Sequence, residues 1–139
     1  MLIGQFEYTV DAKGRVNIPA KLKDDLGEKF VVTRGLDNCV ALYPLSEWKI
    51  WEEKLKAQPE SKARNLKRFF FAGASEAEPD KQGRIVIPPL LRQYAGLNKD
   101  VVIIGASDRA EIWDKERWYT SDAQLTSDAM AQEMDSLNF

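Results

Sequence analysis

Shifting the 139-residue sequence against itself by 69 positions lays Asp11-Ala-Lys-Gly-Arg-Val-Asn-Ile-Pro19 over Asp80-Lys-Gln-Gly-Arg-Ile-Val-Ile-Pro88. Leu22 and Gly27 then fall on Leu91 and Gly96, and Glu7 on Glu76. After Gly96 the shift becomes 70. Val31-Val32 meets Val101-Val102, Gly35 meets Gly105, Leu42-Tyr43 meets Ile112-Trp113, and Trp48 meets Trp118. Self-similarity of this kind is the signature of a repeated supersecondary unit, so the chain reads as two copies of one module of about 45 residues. Such a module is too short to bury enough surface alone, and its short strands leave edges that need covering. The copies must therefore complete one another as a single intertwined unit.

Each copy reads β-β-α-β-β. A strand over 5–10 enters Asp11-Ala-Lys-Gly14, where Asp caps the turn and Gly accepts positive φ at its end. With the next strand, Arg15–Ile18 (Arg84–Ile87 in copy two), this predicts a hairpin. Pro19 and Gly27, like Pro88 and Gly96, mark the start and stop of a short helix. Two more strands follow across polar turns: Phe30–Arg34 with Cys39–Tyr43, and Val101–Gly105 with Ala110–Trp113. Copy one continues into an amphipathic helix over 46–56, with Leu45, Trp48, Trp51 and Leu55 on one face. Copy two ends on a shorter helix with Asp114 as N-cap. The organisation is thus module one over 5–48, a helical linker over 49–73, module two over 74–118 and an acidic tail over 119–139.

Composition narrows the chemistry. There is no histidine and one cysteine, Cys39. That removes Ser-His-Asp and Cys-His catalysis, imidazole metal sites and any intrachain disulfide. Glu52-Glu53 and Asp24-Asp25 lie on charged helix faces with no partner for acid–base work. No catalytic residue, metal site, cofactor or small-molecule substrate is expected. A single cysteine, no secretory signal and no long apolar run fit a cytoplasmic protein. Cys39 reads as a small buried apolar residue, and the tryptophans and Phe69-Phe-Phe71 as core or subunit-contact residues.

The formal net charge of −2 argues at first against nucleic acid, but it is unevenly spread. Residues 1–60 carry 9 Lys/Arg and 10 Asp/Glu, 61–72 carry 4 and 0, 73–120 carry 7 and 8, and 121–139 carry 0 and 4. Without the tail the chain is +2. The tail is rich in small polar residues and reads as mobile, the alternative being a short helix docked through Leu125, Met130 and Met134. Arg15 and Arg84, each beside a tight turn, project from a rigid element suited to phosphate or guanine, with Asp11 and Asp80 holding the guanidinium. The same pattern also serves as a plain turn with a local ion pair.

The doubled Asp-x-x-Gly-Arg-φ-x-Ile-Pro, Phe69-Phe-Phe-Ala-Gly-Ala74 and Ile112-Trp-Asp-Lys-Glu-Arg-Trp118 resemble the MraZ family over residues 1–118. The resemblance implies a fold of two intertwined AbrB-like swapped-hairpin modules, mainly β with short helices (α+β), forming one pseudo-twofold β-barrel unit. It also implies a transcriptional regulator that binds promoter DNA of the division and cell-wall gene cluster as a ring-like homo-oligomer associated with the nucleoid. On that basis Arg15, Arg84, Lys13, Lys81, Lys21, Lys23 and Arg92 are the expected DNA contacts. Asp11, Gly14, Asp80 and Gly83 shape the loops. Three departures separate the copies: Val10 against Pro79, Asn17 against Val86 and Lys21 against Leu90. Copy one, with Lys13, Arg15, Lys21 and Lys23, is expected to have the stronger surface. Two other readings stay open: an AbrB-type antitoxin, its tail wrapping a toxin, or a structural ring that binds other proteins.

Overall fold

The computed structural model describes all 139 residues. Copy one supplies β1 (Gln5–Thr9), β2 (Arg15–Asn17), α1 (Ala20–Leu26), β3 (Phe30–Arg34) and β4 (Val40–Pro44). Two helices follow, α2 (Leu45–Lys56) and α3 (Glu60–Ala72). Copy two repeats the order as β5 (Ser75–Ala77), β6 (Arg84–Val86), α4 (Pro89–Ala95), β7 (Asp100–Gly105) and β8 (Ala110–Asp114), then α5 (Lys115–Asp122) and α6 (Ser127–Ser136). The helices α1 and α4 start after Pro19 and Pro88 and end at Gly27 and Gly96, whose φ values are 85° and 61°. Fixed proline φ starts the turn, and a residue without Cβ tolerates the left-handed exit.

Strand pairing shows how the copies complete one another. β1 pairs antiparallel along its whole length with β7, from Gln5 opposite Ile104 to Thr9 opposite Asp100. β5 pairs with β3, β4 with β8, and β2 with β6. Every one of these ladders crosses between copies; only β3–β4 and β7–β8 are internal. The result is an open six-stranded sheet, β1-β7-β8-β4-β3-β5, and a separate two-stranded ribbon, β2-β6.

Two expectations need correction. The hydrogen-bonded strands do not close into a barrel: β1 and β5 are sheet edges, and the ribbon stands apart. Nor is Asp11–Gly14 the tip of a ladder. The turn is closed by Gly14 N–H donating to Asp11 O at 2.9 Å and Asp11 N–H to Arg15 O at 3.0 Å. Beyond it the arms part, and each pairs with a strand of the other copy: β1 with β7 and β2 with β6. Ile18 N–H donates to Gly83 O and Ile87 N–H to Gly14 O, extending the ribbon at both ends.

One core serves both copies. Val16, Ile18, Leu22, Leu26, Phe30 and Leu42 pack in one cluster with Ile85, Ile87, Leu91, Ala95, Val101 and Ile112. Each fully buried Leu, Ile or Phe contributes about 1.5–3 kcal/mol, most of which a separated module would forfeit. Cys39 lies buried with Val102, Trp113 and Trp118, where burial pushes its thiol pKa well up. The aromatic face of α2 and α3 is half-buried rather than core: Trp48 packs on Phe71 and Trp51 edge-on to Phe70, and only Phe70 of that group is fully covered.

Copy two is trimmed as its proline requires. In copy one Val10 N–H donates to Lys99 O at 2.8 Å, which carries the β1–β7 pairing up to the turn. Pro79 has no N–H to do the same, and β5 stops at Ala77 after three residues against five in β1. The tail carries a helix, though not one docked through Leu125 and Met134. Thr126 accepts from Ala129 N–H at 3.1 Å and caps α6, giving the segment a helix start that its weak apolar periodicity did not reveal. The helix buries no residue against the rest of the chain, and Leu125 and Met134 stay exposed.

Candidate nucleic-acid interface

The two turns share one construction. Asp11 Oδ1 accepts from the amides of Lys13 and Arg15, both at 2.9 Å, and Oδ2 accepts from Arg15 Nε at 2.6 Å. In copy two Asp80 Oδ1 accepts from the Gln82 and Arg84 amides at 2.9 Å, and Oδ2 from Arg84 Nε at 3.0 Å. Gly14 and Gly83 sit at φ 80° and 78°, a conformation costly for any residue with a Cβ. The amide of Arg15, followed by its guanidinium and the Lys13 amide, holds the Asp11 carboxyl below the usual aspartate range. The Arg84 amide, with its side chain and the Gln82 amide, does the same to Asp80. Each carboxylate thus stays charged and holds its arginine, while the terminal amino groups of Arg15 make no hydrogen bond within the chain.

The ribbon sets these groups on one surface. Arg15 lies opposite Val86 and Asn17 opposite Arg84, while Val16 and Ile85 point into the core. Alternation along a strand therefore turns Arg15, Asn17, Arg84 and Val86 outward together. Asn17 Nδ2 also donates to Gln82 O of the other turn at 3.1 Å, a tie that Val86 cannot reciprocate. The arginines are two positions apart along the ribbon, about 7 Å at normal strand rise. This is a small rigid face bearing two cations, an amide and an apolar side chain, the groups by which a β-ribbon engages phosphates and base edges.

The swap also mixes the copies around each turn. A Cβ on Gly14 would lie 3.0 Å from Cζ of Arg92, so the guanidinium from α4 rests on the first turn. A Cβ on Gly83 would lie 2.7 Å from Lys23 Nζ, so α1 presents Lys23 to the second. Lys23 therefore does not belong to the surface of copy one, as expected from its place in the chain. The basic sets are composite: Lys13 and Arg15 with Arg92, and Lys81 and Arg84 with Lys23. Lys13, Lys81 and Lys21 are exposed and form no ion pair; Lys21 lies in the first turn of α1, and nothing ties it to either loop. Arg92 is half-buried, and its Nε has no hydrogen-bond partner in the chain.

Residue-by-residue reading of the turns missed the carboxylates beside the second one. Asp24 and Glu28 of the α1 region and Glu78 line a cleft with Lys23, Asp80 and Lys81. In the repeat register their counterparts are Gln93, Leu97 and Thr9, all uncharged. That difference was written in the aligned copies, but it acquires meaning only once α1 is known to face the second turn. The basic linker reads differently from the loops: Lys62, Arg64 and Arg68 of α3 face solvent, and Lys67 pairs with Glu60 at 2.7 Å.

The family described as "MraZ protein, putative antitoxin-like" matches the chain twice, over residues 1–69 and 70–138. The chain belongs to the MraZ family. The two matches together span nearly its whole length and divide it at the repeat register. Proteins named "Transcriptional regulator MraZ" from Thermoanaerobacter sp. and Acetivibrio thermocellus are 55% and 52% identical to it, over 99% and 96% of each chain respectively. The protein of the same name from Clostridium beijerinckii is 49% identical over 99% of each chain. These MraZ relatives are named as regulators, not as enzymes. In the MraZ chain itself no group of three or more Asp, Glu or Cys is arranged to hold a metal. No helix is long and apolar enough to cross a membrane.

Proposed function

We propose that this MraZ chain is a sequence-specific DNA-binding transcriptional regulator that engages double-stranded DNA through the Asp-x-x-Gly-Arg turns of its swapped ribbon. The observation that carries this reading is the pair of buttressed arginines, Arg15 and Arg84, fixed on one face of a rigid two-stranded element. Fixing the guanidinium in advance lowers the entropy lost on binding, so a small face gains more from each contact. The regulator names of the MraZ relatives support the same class. Three cations per turn give a modest, salt-dependent affinity, because each phosphate contact adds only its share of released counterions.

Strong binding then requires several subunits on repeated sites, where each further contact is intramolecular. A ring-like homo-oligomer at repeats in the promoter of the division and cell-wall gene cluster, associated with the nucleoid in the cytoplasm, meets that requirement. Exposed Leu45, Ile50 and Leu66 on the paired helices α2 and α3 supply apolar surface for self-association. The functional division follows the copies, 5–48 and 74–118, with the helical linker 49–73 and tail 119–139 outside the DNA-facing part. Fluorescence anisotropy with a labelled duplex taken from upstream of this gene tests the reading. Arg15→Ala is expected to lose more than tenfold in affinity while native mass stays that of the wild-type oligomer. Unchanged affinity would sink it. The antitoxin reading would be favoured instead by a toxic ribonuclease-like partner that co-purifies through residues 119–139.

A further inference from the structure

We infer that the DNA-facing ribbon is polar: the Gly14 end grips the phosphate backbone, and the Gly83 end is held off it by carboxylates from α1 and β5's exit. This rests on the reading that the turns bind DNA, and goes beyond it by ranking them. The two ends look alike in their turns, so the difference must come from what surrounds them. At the Gly14 end Lys13, Arg15 and Arg92 face one carboxylate, Asp11, a net charge of +2. At the Gly83 end Lys23, Lys81 and Arg84 face Asp24, Glu28, Glu78 and Asp80, a net charge of −1.

None of Asp24, Glu28 and Glu78 is in an ion pair, so their charge is not cancelled locally. They line one cleft with Lys23, Lys81 and Asp80, and charges around a shared cleft are incompletely screened, since the Debye length is about 8 Å at physiological salt. The carboxylates therefore act on the same phosphates that Arg84 and Lys81 would meet. The backbone reinforces the difference. The Val10 N–H to Lys99 O bond ties the entry to the first turn to the residue just before β7, whereas Pro79 denies the second turn the matching tie. The first turn is therefore the more positive of the two, and it is tied to the sheet, whereas the second is tied to the ribbon through Asn17 and Gln82 O.

The polarity follows from the swap. Had each turn packed against the helix of its own copy, the acidic α1 residues would flank Arg15. Because the copies exchange partners, the acidic helix of copy one lies beside the turn of copy two. Chain order alone points the same way for a different reason, since it credits Lys23 to the first turn.

The test compares anisotropy titrations with the same upstream duplex for wild type, Arg15→Ala, Arg84→Ala and the triple variant Asp24→Asn/Glu28→Gln/Glu78→Gln. All three carboxylates are exposed, so the triple variant keeps its fold, which circular dichroism verifies. Arg15→Ala is expected to lose more than tenfold and Arg84→Ala less than threefold. The triple variant is expected to bind at least threefold tighter, and to make a further Arg84→Ala change as costly as Arg15→Ala. Equal losses for the two arginines, with no gain in the triple variant, would overturn the polarity while leaving the DNA-binding reading standing. No loss with either arginine would overturn both.

Discussion

Replacing Gly14 by alanine tests the loop geometry on which the interface depends. At φ 80° an alanine pays for the left-handed region, about 1–2 kcal/mol. Its Cβ would also stand 3.0 Å from Arg92 Cζ and 3.2 Å from Nε, inside normal contact. Arg92 is half-buried, so moving its guanidinium forces an off-rotamer side chain at about 0.5–1.5 kcal/mol more. Gly83→Ala meets the same backbone cost at φ 78°, but its Cβ meets only the far end of Lys23, which swings away freely. With an unfolding entropy of about 2.1 cal/mol/K per residue, Gly83→Ala should lower Tm by about 3–7 °C and Gly14→Ala by about 5–12 °C. Asparagine tolerates the left-handed region. Gly83→Asn should thus recover most of the loss, and Gly14→Asn only the backbone part. Thermal unfolding by circular dichroism at fixed protein concentration reads all four. Equal losses in the two alanine variants would refute the seating of Arg92 on the first turn; a Tm unchanged in both would refute the strained turn itself.

The carboxylates of Asp11 and Asp80 should titrate below the usual aspartate range in carbon-detected NMR, since both are held charged by backbone amides and an arginine. A folded-state value below the unfolded one means the turns' stabilisation is complete above the ordinary aspartate value and is lost as pH falls through the depressed one. Midpoints at or above the ordinary value would contradict that. Truncation after Thr120 removes Asp122, Asp128, Glu133 and Asp135 and no cation, along with a helix that buries nothing, so affinity for DNA should rise or stay level. A marked loss of binding would show that the tail takes part in the contact.

Much of this structure is legible in the sequence because repetition and turn chemistry are local. Asp11, Gly14 and their copies specify a turn whatever surrounds them, and proline and glycine bracket α1 and α4 in both modules. The need for the modules to share a core follows from their length. What the sequence leaves open is partnership. Alternation along Arg15–Ile18 says that Val16 and Ile18 are buried, but not which strand lies alongside. The hairpin expected between β1 and β2 gave way to ladders with β7 and β6 for that reason. The same gap assigned Lys23 to the wrong turn and hid the bearing of Asp24, Glu28 and Glu78, since a helix's neighbours across a swap are set by topology. Closure of the sheet is a matter of partnership too: β2 and β6 pair with each other and leave β1 and β5 as sheet edges. The helix over Ser127–Ser136 stood only as an alternative because its cap, Thr126, sits in a run of equally polar residues.

The most direct test of the composite basic turns as a DNA interface is the salt dependence of binding to the upstream duplex, measured for wild type and Arg15→Ala. The wild-type affinity should fall linearly in log–log form, and loss of one phosphate contact per engaged turn should flatten the slope by about 0.9 for each. A wild-type affinity insensitive to salt, or a slope unaltered by Arg15→Ala, would contradict the account.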